Sequence, residues 1–329
     1  MNTFNDLKTI GDVLAKAESV AIFPHIIMDG DAIGSAAALA GALKDLGKEC
    51  SVVLEDEIPE LLAFLATPEF IDLSEIPEGK AFDVTLCIDC GDYTRFPLRR
   101  ELFKSGRTRI CLDHHKTSEG IGDLNYIDPE AAATGEIVYD LLKAMDWPID
   151  PSKAGALYAA IVTDTGNFSY SNTTARTHQV VSALYEAGLE PYPINLALYE
   201  NEPISKFRLY GKVLDTMELF AGGKGVIGAV TQEMIAVTGG TLEDGEGIIA
   251  NLRAIRGVEI AVLLKEQTDT SVVRVSLRSK NEGDVAAIAA RHDGGGHTKA
   301  AGCTFRDTTV PKVWDLLKEE VTAALAGGE

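Results

Sequence analysis

The chain has 329 residues, too many for one ordinary hydrophobic core, and this length predicts about two domains. Apolar residues make up 46% and charged residues 24% of the chain, which excludes intrinsic disorder and a fibrous repeat. Thirty basic against fifty acidic residues give a net charge of −20, which argues against binding of long nucleic acid or an anionic membrane through overall charge. A phosphate-bearing ligand would then need a local source of positive charge.

The chain shows no pattern typical of export or of a membrane span. Its first twenty residues interleave charged and apolar positions, unlike a secretory signal. Its longest stretch of small and apolar residues, 34–43, is shorter than the roughly 18 residues that a membrane helix needs. Five cysteines, an odd number, favour reduced thiols over a disulfide framework. We therefore expect a soluble, cytoplasmic protein.

The first 190 residues alternate short β-branched runs with helical stretches, a pattern typical of a parallel sheet with helices on both faces. A small-residue segment after the first run ends at Gly47, where we expect a left-handed helix C-cap. The predicted fold class is α/β, with a doubly wound and mainly parallel sheet. Strands are predicted at about 19–24, 50–54, 83–89 and 108–112, and helices at about 31–47, 134–145 and 153–164.

Three prolines, Pro191, Pro193 and Pro203, break up short helical turns and predict a domain linker. The second domain is predicted to be smaller and of mixed α/β type. The predicted boundaries are 1–190 for the first domain, 191–209 for the linker and 210–329 for the second domain. Strands of the second domain are predicted at about 225–231, 259–266 and 271–279, and helices near 244–255, 284–292 and 310–326.

Acidic residues and histidines follow three of the four predicted strands of the first domain. Ligands of open parallel sheets bind beyond the carboxyl ends of the strands, so we expect these side chains to lie together. Carboxylates that repel one another need a cation, and carboxylate with imidazole is a common ligand set for divalent transition metals. The number of groups predicts two ions that share a carboxylate. The residues are His25, Asp29 and Asp31 after the first strand, Asp89 after the third, Asp113, His114 and His115 after the fourth, and Asp164 at the end of a helix.

Each of these elements also has a simpler structural interpretation. Asp31 could cap the following helix, Asp89 could be a solvated strand end, and the Asp-His-His triplet could form a buried hydrogen-bond network. Their joint appearance at successive strand ends favours the metal site. Cys87 and Cys90 form a C-x-x-C pattern, but strand alternation predicts that their thiols point to opposite faces if the strand runs through Cys90, which favours structural thiols over a zinc or redox site.

The second domain contains the sequences SLRSK, at 276–280, and GGGHTKAAG, at 294–302. Successive glycines let backbone amides approach an anion closely, and His297 and Lys299 add side-chain donors. Residues 271–306 contain six basic and three acidic residues, a local charge of +3. The pattern predicts a phosphate-binding loop, and the alternative is a flexible surface loop.

The order of these motifs resembles the DHH phosphoesterase family. HIIMDGDAIGS, CIDCGD, DHH and VTDTGNF are similar to its four N-terminal motifs, and SLRSK with GGGHTKAAG is similar to its DHH-associated C-terminal domain. The resemblance covers about residues 10–325, and the two-domain length is most similar to the bacterial oligoribonuclease and pAp phosphatase (nanoRNase) type. One departure is Met28, where these proteins often have proline, but the liganding positions are intact.

The resemblance implies two divalent ions, manganese in the first place, with magnesium or cobalt as substitutes. The implied ligands are His25, Asp29 and Asp89 for one ion and Asp31, Asp89, His114 and Asp164 for the other, with Asp89 bridging. Asp113 is expected to orient a histidine, and His115 is expected to face the substrate phosphate as the candidate general acid. The residues expected to bind phosphate or ribose are Arg278, Gly294, Gly295, Gly296 and His297.

The function expected from this resemblance is hydrolysis of short RNAs, linear dinucleotides or 3′-phosphoadenosine 5′-phosphate (pAp) by a metal-activated water. Two alternatives stay open: a manganese-dependent inorganic pyrophosphatase, and a nucleotide sensor without turnover. A long nucleic-acid duplex and a membrane are not expected partners, because the chain is acidic and has only 7% aromatic residues. The sequence leaves open whether the protein forms a homodimer.

Overall fold

The computed structural model describes residues 5–281 and 283–326. The chain divides into two compact units, of which the first ends at Asn201 and the second begins at Glu202. Among the described residues, no helix combines the length and the apolar character needed to cross a membrane.

The segment predicted as a linker is helical in the structure. One helix, Pro191–Tyr199, belongs to the first unit, and the next, Ile204–Thr216, belongs to the second. Pro191 occupies the first turn of its helix, and Pro203 directly precedes the next helix. A backbone N–H at these positions makes no hydrogen bond within the helix, so proline can replace it without loss. These prolines therefore mark the starts of helices, and the division between the units lies between the two helices.

The first unit is built on a six-stranded sheet in which all neighbouring strands are parallel. Its strands are β1 (Ser19–Phe23), β2 (Glu49–Leu54), β3 (Phe70–Asp72), β4 (Val84–Ile88), β5 (Thr108–Asp113) and β6 (Leu124–Ile127). The strand order is β3-β2-β1-β4-β5-β6, so the direction in which strands are added reverses between β1 and β4. The predicted α/β class with a parallel sheet is confirmed.

Helices cover both faces of this sheet, but unevenly. The larger core lies between one face and most of the helices, and a smaller aromatic cluster around Phe23, Phe96 and Phe103 covers the other face. Phe103 lies in a short helix that connects β4 to β5, which makes the sheet doubly wound. The helices are α1 (Leu7–Lys16), α2 (Gly30–Asp45), α3 (Arg100–Lys104), α4 (Thr134–Ala144), α5 (Pro151–Asp164), α6 (Ala175–Glu186) and α7 (Pro191–Tyr199).

Small residues allow α2 and α5 to pack unusually closely. A Cβ atom added at Gly34 would lie 2.4 Å from the carbonyl oxygen of Ala156, and one added at Gly30 would lie 2.4 Å from the Thr163 hydroxyl. Larger side chains at these positions would push the helices apart. Because Gly30 begins α2 and Thr163 is next to the end of α5, this packing brings the acidic start of one helix to the acidic end of the other.

The expected separation of the C-x-x-C thiols is wrong. Strand β4 ends at Ile88, and Asp89 has a left-handed backbone with φ 58°, so strict strand alternation stops before Cys90. Cys87, Cys90 and Cys111 consequently lie in one buried apolar cluster. Burial raises the pKa of the Cys87 thiol well above its usual range, which suits a protonated structural thiol.

The second unit contains a mixed six-stranded sheet in the order β11-β12-β10-β9-β8-β7, in which β8 and β9 are parallel and the other neighbouring pairs are antiparallel. Helices pack on both of its faces. The strands are β7 (Glu218–Phe220), β8 (Gly225–Val230), β9 (Ile260–Glu266), β10 (Val273–Ser279), β11 (Gly295–His297) and β12 (Ala300–Phe305). The helices are α8 (Ile204–Thr216), α9 (Gln232–Thr238), α10 (Ile248–Ala254), α11 (Val285–Ala290) and α12 (Val310–Ala326). The prediction of a smaller, mixed α/β domain is confirmed.

Candidate metal centre

The six residues predicted as metal ligands lie together at the carboxyl edge of the first sheet. Strands β1, β4 and β5 end there, and the first turn of α2 meets the last turn of α5 at the same edge. Since the strand order reverses between β1 and β4, this is the edge where open parallel sheets bind their ligands. The residues are His25 after β1, Asp29 and Asp31 at the start of α2, Asp89 after β4, His114 after β5 and Asp164 at the end of α5.

A first group of candidate ligands consists of His25, Asp29 and Asp89. The Nε2 atom of His25 lies 3.6 Å from Oδ2 of Asp29 and 3.4 Å from Oδ2 of Asp89. One ligand atom from each residue lies within 4.8 Å of the other two. An ion with bonds of about 2.0–2.2 Å can be shared by three atoms at such separations.

A second group consists of Asp31, His114 and Asp164, whose ligand atoms also lie within 4.8 Å of one another. The Nε2 atom of His114 is 3.7 Å from Oδ2 of Asp31 and 3.6 Å from Oδ2 of Asp164. The same nitrogen lies 3.6 Å from Oδ1 of Asp89, whose other oxygen faces the first group. Asp89 therefore stands between the two groups, with one carboxylate oxygen toward each.

Both candidate histidine ligands present the same ring nitrogen to the cluster. The Nδ1 atom of His25 lies 2.8 Å from the carbonyl oxygen of Ile26, and that of His114 lies 3.2 Å from the carbonyl oxygen of Ala131. Because a carbonyl oxygen only accepts, each Nδ1–H donates. In the neutral ring, Nε2 then keeps its lone pair for a metal, an arrangement common among ligating histidines.

The two aspartates of the first α2 turn have different backbone partners. Asp29 caps α2, because its Oδ1 accepts the backbone N–H of Ala32 at 3.0 Å. Asp31 instead accepts the N–H groups of Thr134 at 2.6 Å and Gly135 at 2.9 Å, in the first turn of α4. The alternative in which Asp31 caps its own helix is wrong. The positive end of α4 stabilises the Asp31 carboxylate and holds it in place.

Thr134 is a member of this cluster that the sequence did not reveal. Its hydroxyl donates to Oδ1 of Asp89 at 2.8 Å, in a fully buried position. The two residues are 45 positions apart, and Thr134 lies in no pattern of acids or histidines. A helix start after the small residues at 131–133 was predictable, but its contact with the strand end depends on the tertiary fold.

The cluster holds more negative charge than its histidines can offset. Burial raises the pKa of Asp31 well above its usual range, and the charge of Asp89 raises it further. Burial also raises the pKa of Asp164, to about 6. For His25, burial acts to lower the pKa, but the hydrogen bonds and charges of Asp29 and Asp89 raise it to about 10. The four carboxylates of the two groups carry −4 when ionised, which two divalent cations balance. The donor set fits two such ions.

Asp113 orients His115 at the exposed side of the cluster. Oδ1 of Asp113 accepts from Nδ1 of His115 at 2.7 Å and from the His115 backbone N–H at 3.1 Å. This hydrogen bond raises the pKa of His115. The side chain of His115 is 48% exposed, whereas Asp113 is buried. Since Nδ1 is engaged with Asp113, Nε2 is the atom of His115 that can act on a ligand.

The predicted glycine loop of the second unit is a regular β-hairpin. Strand β11 pairs with β12, with Gly295 opposite Gly302 and His297 opposite Ala300. The alternative of a flexible, irregular loop is therefore wrong for Gly295–His297. The glycines permit the close pairing, because a Cβ atom at Gly296 would lie 2.4 Å from the Ala300 carbonyl oxygen.

Arg278 lies on the strand next to this hairpin. It is opposite Ala300 on β12, and Ala300 is opposite His297 on β11, so all three share one level of the sheet. Directly opposite residues point to the same face, which places Arg278 and His297 on one side. The ammonium group of Lys299 donates one hydrogen bond to the carbonyl oxygen of Asn281 and has further N–H groups.

Comparison with known proteins agrees with this arrangement. The N-terminal domain of the DHH family matches residues 19–161, and the DHHA1 domain matches residues 233–326. A protein of Thermus thermophilus named bifunctional oligoribonuclease and PAP phosphatase NrnA is 31% identical over 328 residues, which cover 97% of this chain and 95% of that protein.

Two solved structures extend the comparison. An exopolyphosphatase-related protein from Bacteroides fragilis has a TM-score of 0.88 at 25% identity and covers 97% of both chains. RecJ from Thermus thermophilus, solved in complex with Mn²⁺, has a TM-score of 0.52 at 16% identity over 98% of this chain and 55% of its own, a likeness of fold alone. From the identity along nearly the whole chain and the two matching domains, we conclude that the chain belongs to the DHH family, with a DHH domain followed by a DHHA1 domain.

Proposed function

We propose that the chain is a metal-dependent phosphoesterase that hydrolyses short oligoribonucleotides and dinucleotides to mononucleotides, and pAp to AMP. The observation that carries this proposal is the pair of ligand groups separated by Asp89, because two adjacent cations suit phosphoester hydrolysis. The Thermus thermophilus relative, named as an oligoribonuclease and PAP phosphatase, supports the substrate class.

The proposed ligands are His25, Asp29 and Asp89 for one ion and Asp31, Asp89, His114 and Asp164 for the other. We propose Mn²⁺ as the ion, with Mg²⁺ or Co²⁺ as substitutes, because imidazole and carboxylate together suit such ions and the similar RecJ fold was solved with Mn²⁺. When bound, two such cations lower the pKa of a water molecule and offset the charge that develops on the phosphate.

The chain's own side chains complete the chemistry. Asp89 is the proposed bridging residue, and Thr134 and the first turn of α4 hold Asp89 and Asp31 in place. His115 is the proposed general acid, since Asp113 fixes its Nδ1 and leaves Nε2 at the exposed side of the cluster, where it can protonate a departing ribose oxygen.

We propose that Arg278, Gly294, Gly295, Gly296 and His297 bind the phosphate or ribose of the substrate. The positive charge of this region, +3 over residues 271–306, contrasts with the net charge of −20. A protein with this overall charge repels a long polyanion outside any local positive surface. The proposed substrates are therefore short.

The test is a substrate panel with manganese: pAp, a dinucleotide, a five-nucleotide RNA and inorganic pyrophosphate. We expect mononucleotide release from the first three, and little phosphate release from pyrophosphate. Preferential hydrolysis of pyrophosphate would overturn the nucleotide assignment. Nucleotide binding without turnover in the presence of manganese would overturn the enzymatic proposal.

A further inference from the structure

Among the residues that the structure describes, helices cover only part of one face of the second sheet. On β10, Val273, Val275 and Leu277 are buried in the core formed with α11 and α12, and the residues between them point to the opposite face. On that opposite face, α8 and α10 pack against β8 and β9, and α10 also contacts β10. The part of this face formed by Arg274, Ser276, Gly302 and Thr304 lines an open groove.

The side chains across this open face form three rows. Arg278, Ala300 and His297 form the first row, and Ser276, Gly302 and Gly295 form the second. Arg274 lies opposite Thr304 in the third row. Because the middle row has only a serine and two glycines, the surface is low between the rows of Arg274 and Arg278. Arg274, Ser276 and Gly302 line the groove, and the row with Arg278 lies next to it on the same face. The row with Arg278 and His297 is the proposed phosphate-binding row.

The groove has a volume of 820 Å³ and includes Ser276, Gly294 and Gly302 in its lining. Its lining carries three cationic residues, Lys265, Arg274 and Arg306, against two acidic ones, Glu246 and Asp293. The Lys265 ammonium group is already paired with Glu246. Within residues 5–281 and 283–326, the Arg274 guanidinium has no hydrogen bond or ion pair. It is an exposed cation on the same face as Arg278.

We propose that this groove binds the phosphate groups of the additional nucleotides in a short single-stranded substrate, with Arg274 as the distal phosphate contact. The inference rests on the proposed function and adds to it a determinant of substrate length. Arg274 and Arg278 are four positions apart on β10, a distance of about 13 Å at about 3.3 Å per residue. A dinucleotide has one internal phosphate and cannot engage both arginines, whereas a five-nucleotide strand can.

The experiment compares kcat/KM for a five-nucleotide RNA with kcat/KM for a dinucleotide, in the wild type and in Arg274→Gln and Arg274→Lys. Loss of one charge-assisted hydrogen bond to phosphate should lower the five-to-two ratio by about tenfold in Arg274→Gln. Arg274→Lys keeps the charge and should keep most of the ratio. The matched control is Lys312→Gln, which removes one positive charge from an exposed position on α12.

A binding measurement separates this inference from the proposed function. Fluorescence anisotropy of the manganese-loaded protein with a labelled five-nucleotide RNA that has non-hydrolysable linkages gives affinity at several salt concentrations. For a single strand, loss of one phosphate contact should reduce the slope of log affinity against log salt by about 0.7. An unchanged five-to-two ratio and an unchanged slope in Arg274→Gln would refute the groove, while hydrolysis by the wild type would leave the phosphoesterase proposal standing. Absence of turnover by the wild type would refute the proposed function.

Discussion

Asp89 combines a special backbone conformation with a central position in the cluster. Its φ of 58° lies in the left-handed region, which aspartate and asparagine tolerate better than most residues. One of its oxygens faces His25, and the other lies between Thr134 and His114. Asparagine preserves the conformation and one carbonyl oxygen but removes the charge, so this substitution tests the electrostatic role without a change of fold.

We therefore expect Asp89→Asn to keep the thermal stability of the metal-free protein and to lose manganese affinity. Loss of a residue that only hydrogen-bonds to a metal ligand typically lowers metal affinity by about 10- to 100-fold, and loss of a bridging ligand should cost more. We therefore expect the manganese affinity to fall by at least about 100-fold and hydrolysis to be lost in parallel. Calorimetric titration with Mn²⁺ measures the affinity. The control is Asp12→Asn at an exposed position of α1. Wild-type affinity and activity in Asp89→Asn would contradict the bridging role.

Manganese binding should depend on pH through the protons that the metal displaces. In the metal-free protein, burial and neighbouring carboxylates raise the pKa of Asp164 to about 6, and Asp29 and Asp89 outweigh burial to raise that of His25 to about 10. Ligation needs both groups deprotonated. His25 therefore weakens binding at every pH below about 10, and Asp164 adds a second proton to displace below about 6.

Affinity for Mn²⁺ should consequently rise with pH between pH 5 and pH 8. Titrations across this range, in buffers that do not bind metal, measure the slope. The number of protons released on binding can be followed in the same experiment with an indicator dye. Affinity that is constant over this range would contradict the assignment of these residues as ligands.

At the scale of residues, the sequence could predict those groups that directly follow a strand. His25, Asp89 and His114 each follow a β-branched run, and the common edge of a parallel sheet brings them together. Thr134 escaped prediction because its contact depends on where α4 begins in space. The backbone conformation of Asp89 could not be predicted either, since no local sequence pattern shows that its φ is positive.

At the scale of elements, the hairpin of β11 and β12 contains a glycine that the fold requires, Gly296, and a glycine that is open to a ligand, Gly295. A Cβ atom at Gly296 would collide with β12, and the φ of 139° is open almost only to glycine. A Cβ atom at Gly295 meets nothing within 4 Å, and its φ is not positive. The two neighbouring positions therefore give a matched pair of alanine substitutions.

Gly296→Ala should lower the free energy of unfolding by about 1–3 kcal/mol, whereas Gly295→Ala should leave the stability nearly unchanged. If phosphate approaches the backbone at Gly295, the added methyl group should raise KM for the five-nucleotide RNA and for pAp. Thermal unfolding and steady-state kinetics measure the two effects. Wild-type KM for both substrates in a stable Gly295→Ala protein would count against a phosphate at this position.

The long β-branched strands were the most predictable elements. Strands β1, β2, β4 and β5 correspond to the predicted runs, and Gly47 has the expected left-handed backbone, with φ 73°. The short strands β3 and β7 have three residues each, too few for a periodic signal. Strand β11 consists of two glycines and a histidine, whose composition indicates a loop, and only pairing with β12 makes it a strand.

At the scale of the whole molecule, the net charge of −20 and the local positive region make opposite contributions to RNA binding. The first should repel the distant part of a long strand, and the second should attract the few phosphates near the groove. Added salt shortens the screening length from about 10 Å at 0.1 M to about 3 Å at 1 M, and so weakens both contributions. The repulsion acts over the longer distances and should be lost first.

We therefore expect the rate with a twenty-nucleotide RNA, relative to that with a five-nucleotide RNA, to increase with ionic strength. A protein that holds long strands in an extended basic track shows the opposite, because each additional phosphate contact steepens the loss of affinity with salt. Initial rates for both RNAs at 0.05 M and 0.5 M potassium chloride, with manganese held constant, give the ratio. A ratio that falls between these concentrations would show that the chain attracts long strands, and would contradict the proposed restriction to short substrates.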